Sequence, residues 1–305
     1  MISVNSLSGG KTSSYLAVHY PADYEVFSLV CIDDENCRPK DSFIINYVND
    51  KLAPFEEKYG EFIATAEDDR TLQVMIDLEQ KIGRRIDWVR GASFDDVIDK
   101  PLIRGENPTR LPSWARRYCT DQMKLFPIFN WWFNSIGEKV NMRIGFRFDE
   151  FDRMERFMNN SEKGGYTIPV SCSMKGKRLM RHQKFDWRYC SFPLIKNAIS
   201  KKDITEYWKH NGKIGPDTLF GEAKKIDFPV VSNCVGCFHK KPETLAAMFS
   251  MHPQKMHWFA KQEEKEMGTW LDSKTLYKTI GLSTGWSEEM IKENGASCDS
   301  GGCTD

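Results

Sequence analysis

The sequence predicts an α/β protein: a doubly wound, mainly parallel sheet followed by a mainly helical C-terminal part. Three observations carry this. Short apolar runs suited to strands alternate with helical patterns in the first 150 residues. The run EVFSLVCI, residues 25–32, is apolar almost throughout, as expected of a strand covered on both faces. A Gly-Gly turn links the first strand directly to a helix, the connection that parallel sheets use at their ligand-binding edge.

Residues 2–7 read as a strand, and SGG at 8–10 as the turn. A helix is expected from Thr12 to His19, stopped near Pro21. After the strand at 25–32 comes the polar loop DDENCRPKD, then a helix over 41–59 and a third strand at 61–66. Residues 100–112 are a Pro/Gly-rich connection leading into a helix through RRYCTDQMKLFPI. VNMRIGF, 140–146, reads as a further strand, and 159–192 as irregular, basic and aromatic. From about 200 the pattern is helical, interrupted by SNCVGCFHKKP. The expected division is a nucleotide-binding α/β domain over 1–158, a helical and irregular part with a CxxC site over 159–294, and a flexible Cys-containing tail over 295–305.

The 305 residues carry 43 Lys plus Arg against 43 Asp plus Glu, so no global field draws in a polyanion. No apolar run reaches the roughly 18 residues of a membrane span, and the first residues lack a signal-peptide pattern. A cytoplasmic protein with no membrane partner is expected. Nine cysteines in a reducing compartment point to metal, redox chemistry or burial before a disulfide framework.

The loop SLSGGKTSS, 6–14, invites comparison with the Walker A pattern, but the first glycine of that pattern would fall on Asn5. The better description is Ser-Gly-Gly-x-x-Ser: Ser8, Gly9, Gly10, Lys11, Thr12, Ser13. Glycines let backbone amides close on an oxyanion, and the helix N-terminus adds partial positive charge. A tight turn with Ser caps is the alternative.

This loop resembles the PP-loop of the N-type ATP pyrophosphatases and sulfonucleotide reductases, although those often have Asp where this chain has Thr12. Further stretches follow in the family's order. Leu111-Pro112, Arg117-Tyr118-Cys119-Thr120, Lys124 and Pro127 resemble the Arg-x-Cys-Thr-x-x-x-Lys-x-x-Pro segment of phosphoadenosine phosphosulfate (PAPS) reductase relatives. Gly145-Phe146-Arg147-Phe148-Asp149-Glu150, with Arg153 and Arg156 behind, resembles their Gly-Ile-Arg-x-Asp-Glu motif. Phe192-Pro193-Leu194, Ile204 to Tyr207-Trp208 and Asn233-Cys234-Val235-Gly236-Cys237-Phe238 complete the series, which spans residues 3–260. The chain is similar to PAPS reductase-like proteins of phage and bacterial type.

That resemblance implies an adenine nucleotide hydrolase-like fold and ATP or another adenine nucleotide at the carboxyl ends of the strands. Ser8, Gly9, Gly10, Thr12 and Ser13 would cradle phosphate, with Asp33 near the adenosine. Lys11 and Arg147 would serve catalysis by stabilising charge. Asp149 and Glu150 could hold Mg²⁺, or form a salt-bridged turn with Arg153. Cys119, Cys234 and Cys237, completed by Cys303, Cys298 or Cys190, would hold a 4Fe–4S cluster. Zinc on the same thiols, or with His239, is the alternative, and unmetallated thiols are a third.

The expected reaction is ATP-dependent adenylation with release of pyrophosphate, coupled to sulfur or nitrogen transfer. Reduction of PAPS by a tail thiol, Cys303, is the alternative, although the family's Glu-Cys-Gly-like tail motif is absent and Asp299 and Asp305 disfavour a thiolate. A non-enzymatic nucleotide-binding module with a structural metal is the third reading. Beyond the nucleotide, a sulfur carrier or a nucleic acid are the partners considered. For the latter, residues 174–188 mix Lys and Arg with Phe185 and Trp187, a composition equally suited to a solvated basic loop.

Overall fold

The computed structural model describes residues 1–99, 111–113, 117–160, 165–174, 177–215, 223–231, 234–266, 268–271 and 275–282. The tail at 295–305, with Cys298 and Cys303, and most of the connection at 100–112 lie outside the described residues.

In chain order the strands are β1 Ser3–Leu7, β2 Tyr24–Leu29, β3 Cys31–Ile32, β4 Ala64–Thr65, β5 Ile86–Arg90, β6 Val140–Arg143, β7 Gly165–Met174, β8 Lys177–Asp186 and β9 Arg188–Ser191. Five of them form one sheet in the order β5-β2-β1-β6-β9, and every neighbouring pair is parallel. The chain builds outward from β1 through β2 to β5, then crosses back to place β6 on the other side of β1. The strand order therefore reverses between β1 and β6, which makes their carboxyl ends the switch point of the sheet.

Side-chain alternation fixes what covers each face. Leu7, Phe27, Leu29, Ile86 and Trp88 pack in one core with α1 Lys11–His19, α2 Ser42–Tyr59 and α3 Asp69–Ile82. Val4, Val26, Val89, Val140 and Met142 pack in a second core with Ile128, Phe129, Trp131 and Trp132. Helices on both faces make the sheet doubly wound, as expected.

The remaining helices are α4 Phe94–Asp99, α5 Tyr118–Thr120, α6 Phe126–Ser135, α7 Phe151–Asn160, α8 Pro193–Lys196, α9 Lys201–Asn211, α10 Pro242–Met251, α11 Pro253–Glu266 and α12 Tyr277–Ile280. A π-helical turn, Asp121–Leu125, joins α5 to α6. Inside it the Met123 carbonyl accepts a hydrogen bond from Ser28 Oγ at 2.9 Å, which ties the turn to β2. A third core joins α4, α10, α11 and α12 around Phe94, Trp258, Phe259, Trp270 and Tyr277.

The structure revises several element readings. The apolar run at 25–32 splits: β2 ends at Leu29, and Cys31–Ile32 turns aside to pair antiparallel with Ala64–Thr65. The third strand expected at 61–66 is thus this two-residue β4, outside the main sheet. The main sheet's edge is β5 instead, IDWVR, whose Asp87 and Arg90 break the apolar pattern. Arg90 is buried and donates to the Gly60 and Glu61 carbonyls. The region read as irregular contains the antiparallel β7–β8 hairpin. Finally, β9 comes from beyond residue 158 and pairs with β6, so the sheet draws on both expected parts.

Candidate functional site

Because β1 and β6 are parallel neighbours, the segments leaving their carboxyl ends emerge side by side. One is Ser8-Gly9-Gly10, running into α1; the other is Ile144-Gly145-Phe146-Arg147. A Cβ on Gly145 would sit 3.5 Å from Thr12 Cγ2 and 3.7 Å from Ser13 N, so the two segments are in van der Waals contact.

Gly9 is the residue that this turn requires to be glycine. Its φ is +72°, and a Cβ there would lie 2.3 Å from Thr71 Cγ2 on α3. Gly10, the N-cap of α1, is extended. Ser13 Oγ accepts from the Ser8 N–H at 3.1 Å and donates to the Gly10 carbonyl at 3.2 Å, cross-linking the turn from within. Among the described residues, the N–H groups of Gly9, Gly10 and Thr12 have no protein acceptor. Together they form a small set of backbone donors at a helix N-terminus. The Lys11 side chain is exposed, and its carbonyl accepts from Trp208 Nε1 at 2.8 Å. The Tyr207-Trp208 segment thereby holds the base of α1.

Arg147, beyond the end of β6, reaches the first turn of α1. Its Nη1 lies 3.3 Å from Thr12 Oγ1 and 3.2 Å from Glu150 Oε2, and its Nε lies 3.2 Å from Asp149 Oδ1. Glu150 uses Oε1 for Arg153 at 2.8 Å, and Asp149 also accepts from the Lys201 N–H at 2.9 Å. Both carboxylates considered for Mg²⁺ are thus engaged in fixing Arg147 and the start of α9. The guanidinium of Arg153 also stacks over Phe146, 4.4 Å from the ring centre.

Asp33 is placed elsewhere. It follows β3, and its N–H donates to Asp95 Oδ2 at 2.7 Å. Partial burial and the charges of Asp95 and Asp96 raise its carboxyl pKa, against a Ser93 hydrogen bond and Arg90. Its partners belong to the α4 region rather than to the glycine turn.

Cys119, Cys234 and Cys237 share one neighbourhood, although far apart in sequence. Burial pushes the Cys119 thiol up to about 11, and the charge of Cys237 adds to this, while Lys124 and Arg117 oppose it. The Cys234 thiol is raised further, chiefly by burial, with Glu67, Cys237 and Cys119 contributing. Gly236, between the two, packs flat on α11: a Cβ would lie 2.4 Å from the Phe259 ring. The donor chemistry suits a soft metal, and the nearby cations would favour thiolates. Yet among the described residues no group of three or more His, Cys, Asp or Glu is arranged to hold a metal ion. Cys190 is buried in β9, on the core that faces α6.

Around these cysteines lies a buried charge network absent from the sequence reading. Glu67 pairs with Lys124 at 3.5 Å and forms a β-bridge with Cys234. Burial raises its carboxyl pKa, with Lys124 and Lys255 opposing. Lys255, itself buried, donates to the Glu67 carbonyl and to Asp69 Oδ1 at 2.7 Å. Next to it Asp68 caps α3 and binds Arg70 and His252. The only local sign of this network was Lys124, inside a recognised motif.

No family model, curated protein or solved structure matches this chain. The functional reading therefore rests on the geometry and on the motif resemblance. Among the described residues, no helix is long and apolar enough to cross a membrane.

Proposed function

We propose that this chain is a PAPS reductase-like PP-loop enzyme that binds an adenine nucleotide, ATP foremost, at the carboxyl edge of its sheet. The observation that carries the reading is the meeting of two elements where the strand order reverses: the Ser8–Ser13 turn, with its backbone donors, and Arg147. Such a switch point is where open α/β sheets take their ligands, and a helix N-terminus beside a guanidinium suits phosphate.

In the proposed reaction a substrate oxygen attacks the α-phosphorus of ATP, the bond to the β-phosphate breaks, and pyrophosphate leaves. A sulfur or nitrogen nucleophile then displaces AMP. The turn's amides hold the phosphate chain. Arg147 and Lys11 offset charge that grows on the leaving group. Glu150 and Asp149 serve by aiming Arg147, and Mg²⁺ would arrive with the nucleotide. Cys119, Cys234 and Cys237 would contribute to one metal centre, a 4Fe–4S cluster in this reading, with zinc as the alternative.

The test is calorimetry of the full chain with ATP, AMP and PAPS, alongside an assay for released pyrophosphate. Heat with ATP, and pyrophosphate in the presence of an acceptor, support the reading. Absence of heat with all three nucleotides rejects it. Binding confined to PAPS, with a thiosulfonate trapped on the tail, transfers the case to reduction.

A further inference from the structure

We propose that a cavity on the opposite, amino-terminal edge of the sheet is a second binding site, for a small uncharged planar heterocycle with an amide-type edge. The inference is independent of the nucleotide reading. The cavity, of about 870 Å³, opens between α2 and α6 at the starts of β2 and β5. That volume lies within the roughly 300–1,000 Å³ of small-molecule sites.

Its walls are aromatic. Tyr24 and Trp131 meet edge to face at 5.6 Å on one side, and Tyr59 of α2 stands on the other. Such surfaces favour a flat partner. Below them lies the ion pair of Glu25 and Arg84, with Arg84 Nη2 2.8 Å from Glu25 Oε1. Glu25 is 1% exposed.

Two buried donors of lining residues, Arg84 Nε and Trp88 Nε1, have no partner, and Glu25 Oε2 accepts no side-chain hydrogen bond. Two donors left unmade in a single wall call for an explanation, since each is costly when buried. The Arg84 side chain is a third exposed and also donates to the Ala17 carbonyl at 2.7 Å; in this proposal it turns aside as the ligand enters. A ligand edge with a donor beside an acceptor would then satisfy Glu25 Oε2 and Arg84 Nε together.

The charges argue for a neutral ligand. Arg84 is paired with Glu25, Arg85 with Asp87 at 2.9 Å and Lys51 with Glu79 at 2.6 Å. Among the described cations that line the cavity, Lys58 alone has no carboxylate partner for a phosphate to replace, and a buried charge without a partner is unfavourable.

Uracil and hypoxanthine, which carry the edge but no phosphate, are the probes. The full chain is labelled with 5-fluorotryptophan, and the Trp88 and Trp131 resonances are assigned by Trp88→Phe and Trp131→Phe. Expected are saturable fluorine shifts at these two residues. Glu25→Gln should weaken binding at least ten-fold. Asn130→Trp, which fills the cavity from α6, should abolish it with the melting curve retained. Should Glu25→Gln fail to fold, Asn130→Trp decides alone. No saturable shift up to the solubility limit means a cavity that holds water only, and overturns the proposal. Unchanged affinity in Asn130→Trp overturns it as well, by placing the bases elsewhere.

Discussion

Arg147 Nη1 lies 3.3 Å from Thr12 Oγ1, so a guanidinium leaving β6 touches the first turn of the helix that follows β1. Residues 135 positions apart meet there because β1 and β6 are adjacent. The same guanidinium is held by Asp149 and Glu150, which orient it before any ligand arrives.

For Arg147→Ala the expectation is a loss of phosphate affinity with little loss of stability. Arg147 is 20% exposed, and its carboxylate partners keep other contacts, Arg153 and the Lys201 N–H. A charge-assisted hydrogen bond to phosphate is worth about 1.5–3 kcal/mol, so the Kd for ATP should rise roughly ten-fold or more. Calorimetry and thermal melting of the same samples check this. A large drop in melting temperature with unchanged ATP affinity would make Arg147 a structural clamp only.

Gly9→Ala should destabilise by two separable effects. The left-handed backbone at φ +72° costs a residue with Cβ about 1–2 kcal/mol. The new methyl would also meet Thr71 Cγ2 at 2.3 Å. Thr71→Ser removes that methyl, so the double variant should recover the steric part and keep the backbone part. Urea unfolding of the four proteins measures the coupling. Strict additivity would mean that the turn and α3 are not in contact.

What was legible in the sequence was local. The Ser8–Ser13 turn could be read because strand, glycines and helix follow one another without interruption, and Arg147 because it directly follows a short apolar run. The edge strand β5 was hidden because its buried Arg90 finds acceptors at Gly60 and Glu61, some thirty residues back, and no periodicity reports that. Pro169 and the run of basic residues concealed the β7–β8 hairpin, since proline is unusual within a strand. The Glu67 network was illegible for a stronger reason. Its partner Lys255 is 188 residues away, and a buried lysine looks like any surface lysine until the chain folds. Asp33 follows the two-residue β3 instead of the main-sheet strand, which ends at Leu29, and the turn of the chain toward α4 was not legible in the continuous apolar run.

Asp68 should give the protein an acid-sensitive increment of stability. Burial alone would push its carboxyl up. Hydrogen bonds from His252 and Arg70, and the His252 charge, overcome this and hold it well below the usual range. The folded state then binds fewer protons than the unfolded one, whose Asp titrates near about 3.9. Stability from this group is complete above that value and disappears as pH falls through the lower folded value. Asn is as good an N-cap as Asp, so Asp68→Asn isolates the charge. The wild-type advantage in denaturant unfolding should be full at about pH 6 and shrink below about pH 4. A difference independent of pH between 3 and 7 would remove Asp68 from the account.

Cys119, Cys234 and Cys237 provide the last expectation, a shared metal centre. The charge of Cys237 acts on Cys119, and the charges of Cys237 and Cys119 act on Cys234; burial alone gives inert thiols, with Cys119 near 11. A soft cation reverses that by binding the thiolate forms. Lys124 and Arg117 lower the cost of the negative charge that results. Protein purified without oxygen should therefore be brown and contain iron and sulfide, and Cys234→Ser should bleach it. Changes to Ser at 190, 298 and 303 would then identify the fourth sulfur. A colourless protein with stoichiometric zinc would exchange the metal and keep the shared site. A metal-free protein whose Cys119 is alkylated as readily as an unfolded control would end the idea of a shared site, leaving the CxxC segment as a turn held by Gly236 against Phe259.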